Sequence, residues 1–213
     1  MKKIILYIMA ATLLLSVSCG NQNQETANPM ENPVIETIMA RRSIRAYKPE
    51  AVEREIMNQI VKCGINAPNA MNAQPWEIRI VDNPEFIEGC TKLFVERMKQ
   101  DPRRAKMVED PSFRNMFRNA PTVVFIAIND GRFSSIDCGL MAQNMMLAAK
   151  SLGIGSIALG SPVDFFQSEV AAEYYKKLDI PDTHTLALVL GFGYPDESPD
   201  AKPRDESKVR WIE

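Results

Sequence analysis

Arg41, Arg42, Ser43 and Arg45 set three guanidiniums around one hydroxyl within five positions. A planar guanidinium fork matches phosphate oxygens two at a time, so this density suits capture of a phosphate group. The same run would also serve as a solvated basic helix end, favoured by the helix dipole. The only histidine, His184, cannot by itself build a metal cluster or a Ser/His/Asp site, and no role is assigned to it. Cys63, Cys90 and Cys138 lack metal-ligand spacing. An oxidising compartment would permit one disulfide among them, of unreadable pairing, while buried free thiols are the blander reading.

The elements that must position these residues follow from periodicity. Val34, Ile35, Ile38 and Met39 recur at helical spacing after Pro33, so a short helix leads into Arg41. A second helix is expected after Pro49, with Val52, Ile56, Ile60 and Val61 on one face, running out between Gly64 and Pro68. The stretch Ala67 to Pro75 is rich in turn formers and reads as a loop. Trp76 to Val81 alternates as a strand with one wetter face. Pro84 to Lys99 and Pro111 to Asn119 read as helices, and the apolar, β-branched Pro121 to Ile128 as a buried central strand. A long helix from about Ser135 to Leu152 is apolar nearly all round, interrupted by Gln143 and Asn144. A short strand before Gly160, a helix from Val163 to Leu178 and a strand from Thr183 to Phe192 complete the pattern. With no strict βαβ repeat, the class is α+β, a mixed central sheet covered by helices. The tail from Gly193 to Glu213 ends in Val209-Arg-Trp-Ile212, apolar enough to dock on something, such as a partner subunit.

The order Arg41-Arg-Ser-Ile-Arg45, Pro68-Asn-Ala-Met-Asn-Ala-Gln-Pro-Trp76, Gln143-Asn-Met-Met-Leu-Ala-Ala149, Leu152-Gly-Ile-Gly155 and Lys202-Pro-Arg204 resembles the flavin-dependent nitroreductase family. The likeness covers Pro33 to Arg210. It implies FMN held at the interface of a homodimer, with a reduced nicotinamide and a small organic acceptor such as a nitroaromatic or quinone visiting the flavin in turn. By that resemblance Arg41, Arg42, Ser43 and Arg45 take the FMN phosphate and ribityl chain, and Lys202 and Arg204 close on the same phosphate. Asn72 meets the polar edge of the isoalloxazine ring, where an amide can both donate and accept. Asn69, standing where a Ser is usual in that family, and Gln74 belong to the same loop. Gln143 is either a flavin ligand or a satisfied core amide. Leu159 and Gly160 bring backbone groups to the ring, and a Gly160 N–H directed at N5 would favour hydride transfer. No side chain is needed as catalytic acid or base, because the flavin N5 takes the hydride and solvent supplies protons. Phe113, Phe117 and Phe133 are candidate pocket walls, with core packing as the alternative. Different flavin chemistry on the same fold, such as reductive dehalogenation or oxidative ring cleavage, stays open. So does a lipid-anchored protein that binds flavin or another small ligand without turning it over.

The chain's ends and charge set its expected location. Lys2 and Lys3 precede an apolar run from Ile4 to Val17, too short to span a bilayer and suited to a signal peptide over residues 1–18. Leu15-Ser-Val-Ser-Cys19 resembles a bacterial lipobox, which implies lipid attachment at Cys19. An ordinary signal peptide, or a short buried helix with a chance Cys, is the plainer alternative. The Asn-, Gln- and Pro-rich stretch 19–33 is then a flexible tether, and 34–213 the FMN-binding domain. The protein is thus expected on the extracytoplasmic side of a membrane, held by a lipid anchor only. Without Lys2 and Lys3 the 25 basic residues fall to 23 against 27 acidic ones. That balance argues against general nucleic-acid binding.

Overall fold

The computed structural model describes residues 32–213, so the signal peptide, Cys19 and nearly all of the tether lie outside the described residues. The chain runs α1 (Pro33–Ala40), α2 (Arg54–Ile65), β1 (Trp76–Val81), α3 (Pro84–Lys99), α4 (Pro102–Val108), β2 (Thr122–Ile128), α5 (Ser134–Ser151), β3 (Gly155–Leu159), α6 (Ser161–Phe166), α7 (Ala172–Lys177) and β4 (Thr185–Gly193). The four strands form one antiparallel sheet in the order β1-β2-β4-β3. This is the expected α+β architecture.

The period of two along β2 explains the layering. Val123 and Phe125 turn to a cluster built on Ile87, Phe94, Phe117, Phe165 and Phe166, under α3 and α6. Val124 and Ile126 turn to the opposite cluster, with Met57, Ile60, Met141 and Met145 from α2 and α5. Both faces being covered, β2 is buried almost throughout, as an uninterrupted apolar run requires. β1 is an edge strand in which no residue is fully buried. Gly191 lets β4 pass under the turn before β2, since a Cβ there would stand 2.7 Å from that of Ala120.

Three expectations about elements need correction. Pro111 to Asn119 is a series of turns, because asparagine side chains compete for the backbone. Asn119 Oδ1 accepts from the N–H of Arg114 at 2.8 Å, and Asn115 Oδ1 from those of Phe117 and Asn119 at 2.9 and 3.0 Å. Arg118 and Asn119 are thereby left at φ 55° and 69°, in the left-handed region. The helix that does form nearby is α4, with Pro102 in its first turn and the Asp101 side chain capping Arg103 N–H. The segment from Val163 to Leu178 is broken at Ser168, whose extended backbone separates α6 from a 3-10 turn and α7. Ser168 Oγ donates to Phe165 O at 2.6 Å and so seals the end of α6. The second helix starts at Arg54 rather than just after Pro49.

Candidate functional site

The arginine cluster sits where α1 stops. Arg42 Nη1 donates to Met39 O at 2.6 Å and Arg41 O at 2.9 Å, so this side chain closes the helix C-terminus. Beyond it the chain turns extended and runs beside β3. Ser43 bridges to Ser156, and Ile44 N–H donates to Ser156 O at 3.1 Å. Ile44 lies over Gly155, where a Cβ would approach it to 3.0 Å. Tyr47 is buried, donates its hydroxyl to Ile44 O at 2.7 Å, and bridges to Pro195. Burial, helped by the nearby Glu197 carboxylate, pushes its phenol far above the usual range.

This strut holds Arg41 and Arg42 over a cavity of about 290 Å³ whose floor is Gly153 to Ser156 and whose rim includes Lys150 and Glu197. Two buried donors there have no hydrogen-bond partner among the described residues: Arg41 Nη1 and Ser156 Oγ. Burial lowers the Arg41 pKa, and the charges of Arg42 and Arg204 lower it further. The tail therefore does bring Arg204 to the N-terminal cluster, across more than 160 residues of sequence. Lys202 remains exposed, its carbonyl accepting from Arg204 Nη1 at 3.0 Å. Arg45 is exposed; its Nη1 donates to Ser43 O at 3.1 Å, and its backbone N–H donates to Glu197. Orphaned donors inside a ring of cations are costly unless an anion completes them, so the residues present fit a phosphate dianion.

The amide loop is built differently. Met71, Asn72 and Gln74 all take left-handed φ, 53°, 53° and 47°. Asn69 Oδ1 holds the loop by accepting from Gln74 N–H at 2.9 Å. Ala70 N–H points at both oxygens of buried Asp137, each at 3.3 Å, which ties the loop to the first turns of α5. Asn72 and Gln74 are exposed, and the Asn72 side chain has no hydrogen bond to another described residue. Gln143 is exposed on the outer face of α5, which removes the core-amide reading. Its neighbour Asn144 fastens α5 to α2 through Cys63 O at 3.3 Å. Leu159 is buried at the end of β3, while Gly160 is exposed, with open space where a Cβ would be.

Within one chain these parts do not all meet. Asp137, beside the amide loop, and Lys150, beside the cation cavity, are thirteen residues apart on α5, or about 20 Å at about 1.5 Å per residue. Along the same helix α5 presents an uncovered stripe with Ile136 (61% exposed), Leu140 (42%) and Gln143. The apolar residues expected on α1 face outward too, Met39 at 70%, and Trp211 of the tail is 93% exposed. Ser156, Lys150 and Asp137 were not legible as site residues from sequence. Ser156 was signalled only as the one hydroxyl inside an apolar strand, and Lys150 as an ordinary cation at a helix C-terminus. Phe117 is core, Phe113 packs against that core, and Phe133 is partly exposed. Cys63, Cys90 and Cys138 are free thiols, the latter two buried.

Comparison with known proteins converges on one group. The model of the nitroreductase family, described as "Nitroreductase family", matches residues 38–194. An NADPH-flavin oxidoreductase of Vibrio harveyi is 26% identical over 186 residues, covering 81% of this chain and 70% of that protein. The structure of a nitroreductase with bound FMN from Desulfitobacterium hafniense superposes with a TM-score of 0.77 at 26% identity, covering 86% of this chain and 100% of that one. A nitroreductase with bound FMN from Bacteroides fragilis gives 0.75 at 26% identity, covering 85% and 100%.

Proposed function

Because the chain belongs to the nitroreductase family, we infer that it is an FMN-dependent oxidoreductase, passing electrons from a reduced nicotinamide to a small organic acceptor. The observation that carries this reading is the pair of unpartnered buried donors, Arg41 Nη1 and Ser156 Oγ, inside a ring of cations. Bound FMN supplies reversible two-electron chemistry, taking hydride from the donor and giving it to the acceptor. The chain's own residues bind and orient. Arg41, Arg42, Ser43 and Arg45 take the phosphate and ribityl chain, with Arg204 and Lys202 closing from the tail. Lys150 and Ser156 join that set. Backbone groups of Leu159 and Gly160 face the ring, in the open space beside Gly160.

The amide loop joins from a second copy. A twofold axis through the exposed stripe of α5 pairs that helix antiparallel with its counterpart. The pairing brings the partner's loop end to this chain's cation end and covers Ile136 and Leu140. Asn69, Asn72, Gln74 and Gln143 then line a site completed only in the homodimer, and the apolar tail has a surface to dock on. Rapid mixing with NADH or NADPH tests the reading: the flavin's visible band should bleach and recover on adding a nitroaromatic or quinone. Absence of bleaching with both donors would overturn it.

We also propose that residues 1–18 are a signal peptide, that Cys19 bears the lipid and that 19–33 tethers the domain of residues 34–213 outside the cytoplasm. The motif Leu15-Ser-Val-Ser-Cys19 supports this. Labelled palmitate should enter the wild-type protein and be absent from Cys19→Ala. Outside the cytoplasm the physiological donor need not be a nicotinamide, although the site should still accept one in vitro.

A further inference from the structure

The tail that carries Lys202 and Arg204 is joined to the arginine strut by a short antiparallel ladder. Lys48 N–H donates to Tyr194 O at 2.9 Å, Tyr47 bridges to Pro195, and Asp196 N–H donates to Ala46 O at 2.9 Å. There the backbone pairing stops, and Pro199 and Pro203 have no N–H with which to resume it. One side chain extends it. The Glu197 carboxylate accepts from two consecutive backbone donors, the N–H of Arg45 and, at 3.2 Å, that of Ala46. Beyond Glu197 the tail hydrogen-bonds only to itself. Arg204 Nη1 donates to Lys202 O and Pro203 O at 3.0 and 3.3 Å, Ser207 N–H donates to Asp205, and Val209 N–H donates to Glu206 O at 3.0 Å. Glu197 is therefore the last hydrogen-bonded tie between the tail and the rest of the described residues.

Arg204 nevertheless stands close enough to Arg41 for its charge to lower the Arg41 pKa. Like charges brought together repel, and no hydrogen bond from Arg204 to the cluster opposes that repulsion. The restraint lies upstream, where Glu197 lines the cation cavity and grips the strut at once. A tail anchored in advance has less freedom to lose when a dianion draws Arg204 in, so the anchor is felt as affinity. We propose that Glu197 is a positioning residue for the flavin phosphate: by stapling the tail to the N–H groups of Arg45 and Ala46, it keeps Arg204 beside Arg41. The assignment rests on the FMN-dependent reading.

The test is a double-mutant cycle on the flavin-free protein, with Glu197→Ala, Arg204→Ala and the two together, reading FMN dissociation constants by fluorescence quenching. Glu197→Ala should raise the constant at least about tenfold when Arg204 is present, through loss of charge-assisted hydrogen bonds, and less than about threefold when Arg204 is already alanine. Riboflavin, which lacks the phosphate, should bind wild type and Glu197→Ala equally to within about twofold. Glu197→Gln keeps an acceptor for the two N–H groups and should recover part of the FMN affinity. Amide hydrogen exchange at Arg45 and Ala46 should quicken in Glu197→Ala and stay close to wild type in Glu197→Gln. An FMN constant in Glu197→Ala within about twofold of wild type would overturn the proposal. So would an equal loss in both Arg204 backgrounds, or an equal loss for riboflavin, since either marks Glu197 as a support of the fold and not of Arg204. Wild type that takes up neither flavin would instead refute the flavin reading, and this assignment with it.

Discussion

Replacing Arg41 with methionine should change stability in opposite directions depending on whether FMN is present. In the flavin-free protein the Arg41 guanidinium is partly desolvated, leaves Nη1 without a partner, and is repelled by Arg42 and Arg204. A buried donor left unmade costs about 1–3 kcal/mol, and methionine removes that cost while keeping much of the aliphatic volume. One kcal/mol corresponds to roughly 2–4 °C for a domain of this size. Flavin-free Arg41→Met should therefore melt about 2–12 °C above flavin-free wild type. Once FMN is added, wild type gains a charge-assisted hydrogen bond of about 1.5–3 kcal/mol that the variant cannot make. The dissociation constant should rise roughly tenfold to 150-fold. Differential scanning fluorimetry with and without FMN, together with a titration of flavin fluorescence quenching, reads both quantities. A variant less stable without flavin yet equal in FMN affinity would show that Arg41 is a structural residue and would refute the reasoning.

Four further outcomes follow from the geometry. Asp137→Ala removes the acceptor beneath Ala70 N–H and should cost about 1–3 kcal/mol in denaturant unfolding; a change below about 0.3 kcal/mol would mean the loop is held elsewhere. Placing glutamate at both Ile136 and Leu140 should convert the dimer to a flavin-poor monomer by light scattering, because the α5 stripe then repels its counterpart; a dimer that keeps its flavin would contradict the twofold packing. Gly191→Ala forces a Cβ against Ala120 and should destabilise by about 1–3 kcal/mol without altering FMN affinity per folded molecule. Burial raises the Cys90 thiol to about 12 and Cys138 to about 11. Unfolded thiols ionise near about 8.5, so between there and the folded values the folded state holds more protons, and stability falls as pH rises through that window. Native labelling at mild alkaline pH should modify Cys63 alone among these three, and fast modification of Cys90 would contradict its burial.

What sequence made legible divides along physical lines. β2 was readable because an uninterrupted β-branched run needs cover on both faces, and the structure covers both. The turns at 111–119 were not, because the outcome depended on which backbone groups Asn115 and Asn119 capture, a contest that periodicity does not register. In the site, Arg41 and Arg204 were legible as two cation groups because charge density is visible in one dimension. That Arg42 would spend itself partly on the end of α1 was the bland alternative, and it is realised alongside the cavity. Ser156 and Lys150 escaped notice because neither belongs to a cluster until β3 and α5 are folded together. The separation of the amide loop from the cations is a property of helix length, invisible until both are anchored to the two ends of α5.

The central claim is that remote cations grip the phosphate of one flavin nucleotide, and the visible absorption spectrum of the purified protein tests it most directly. Wild type should be yellow, should release a chromophore identified by mass as FMN, and should lose it when Arg42 and Arg204 are both changed to alanine. Colourless protein that takes up no FMN on incubation, or a double variant that keeps its pigment, would contradict it.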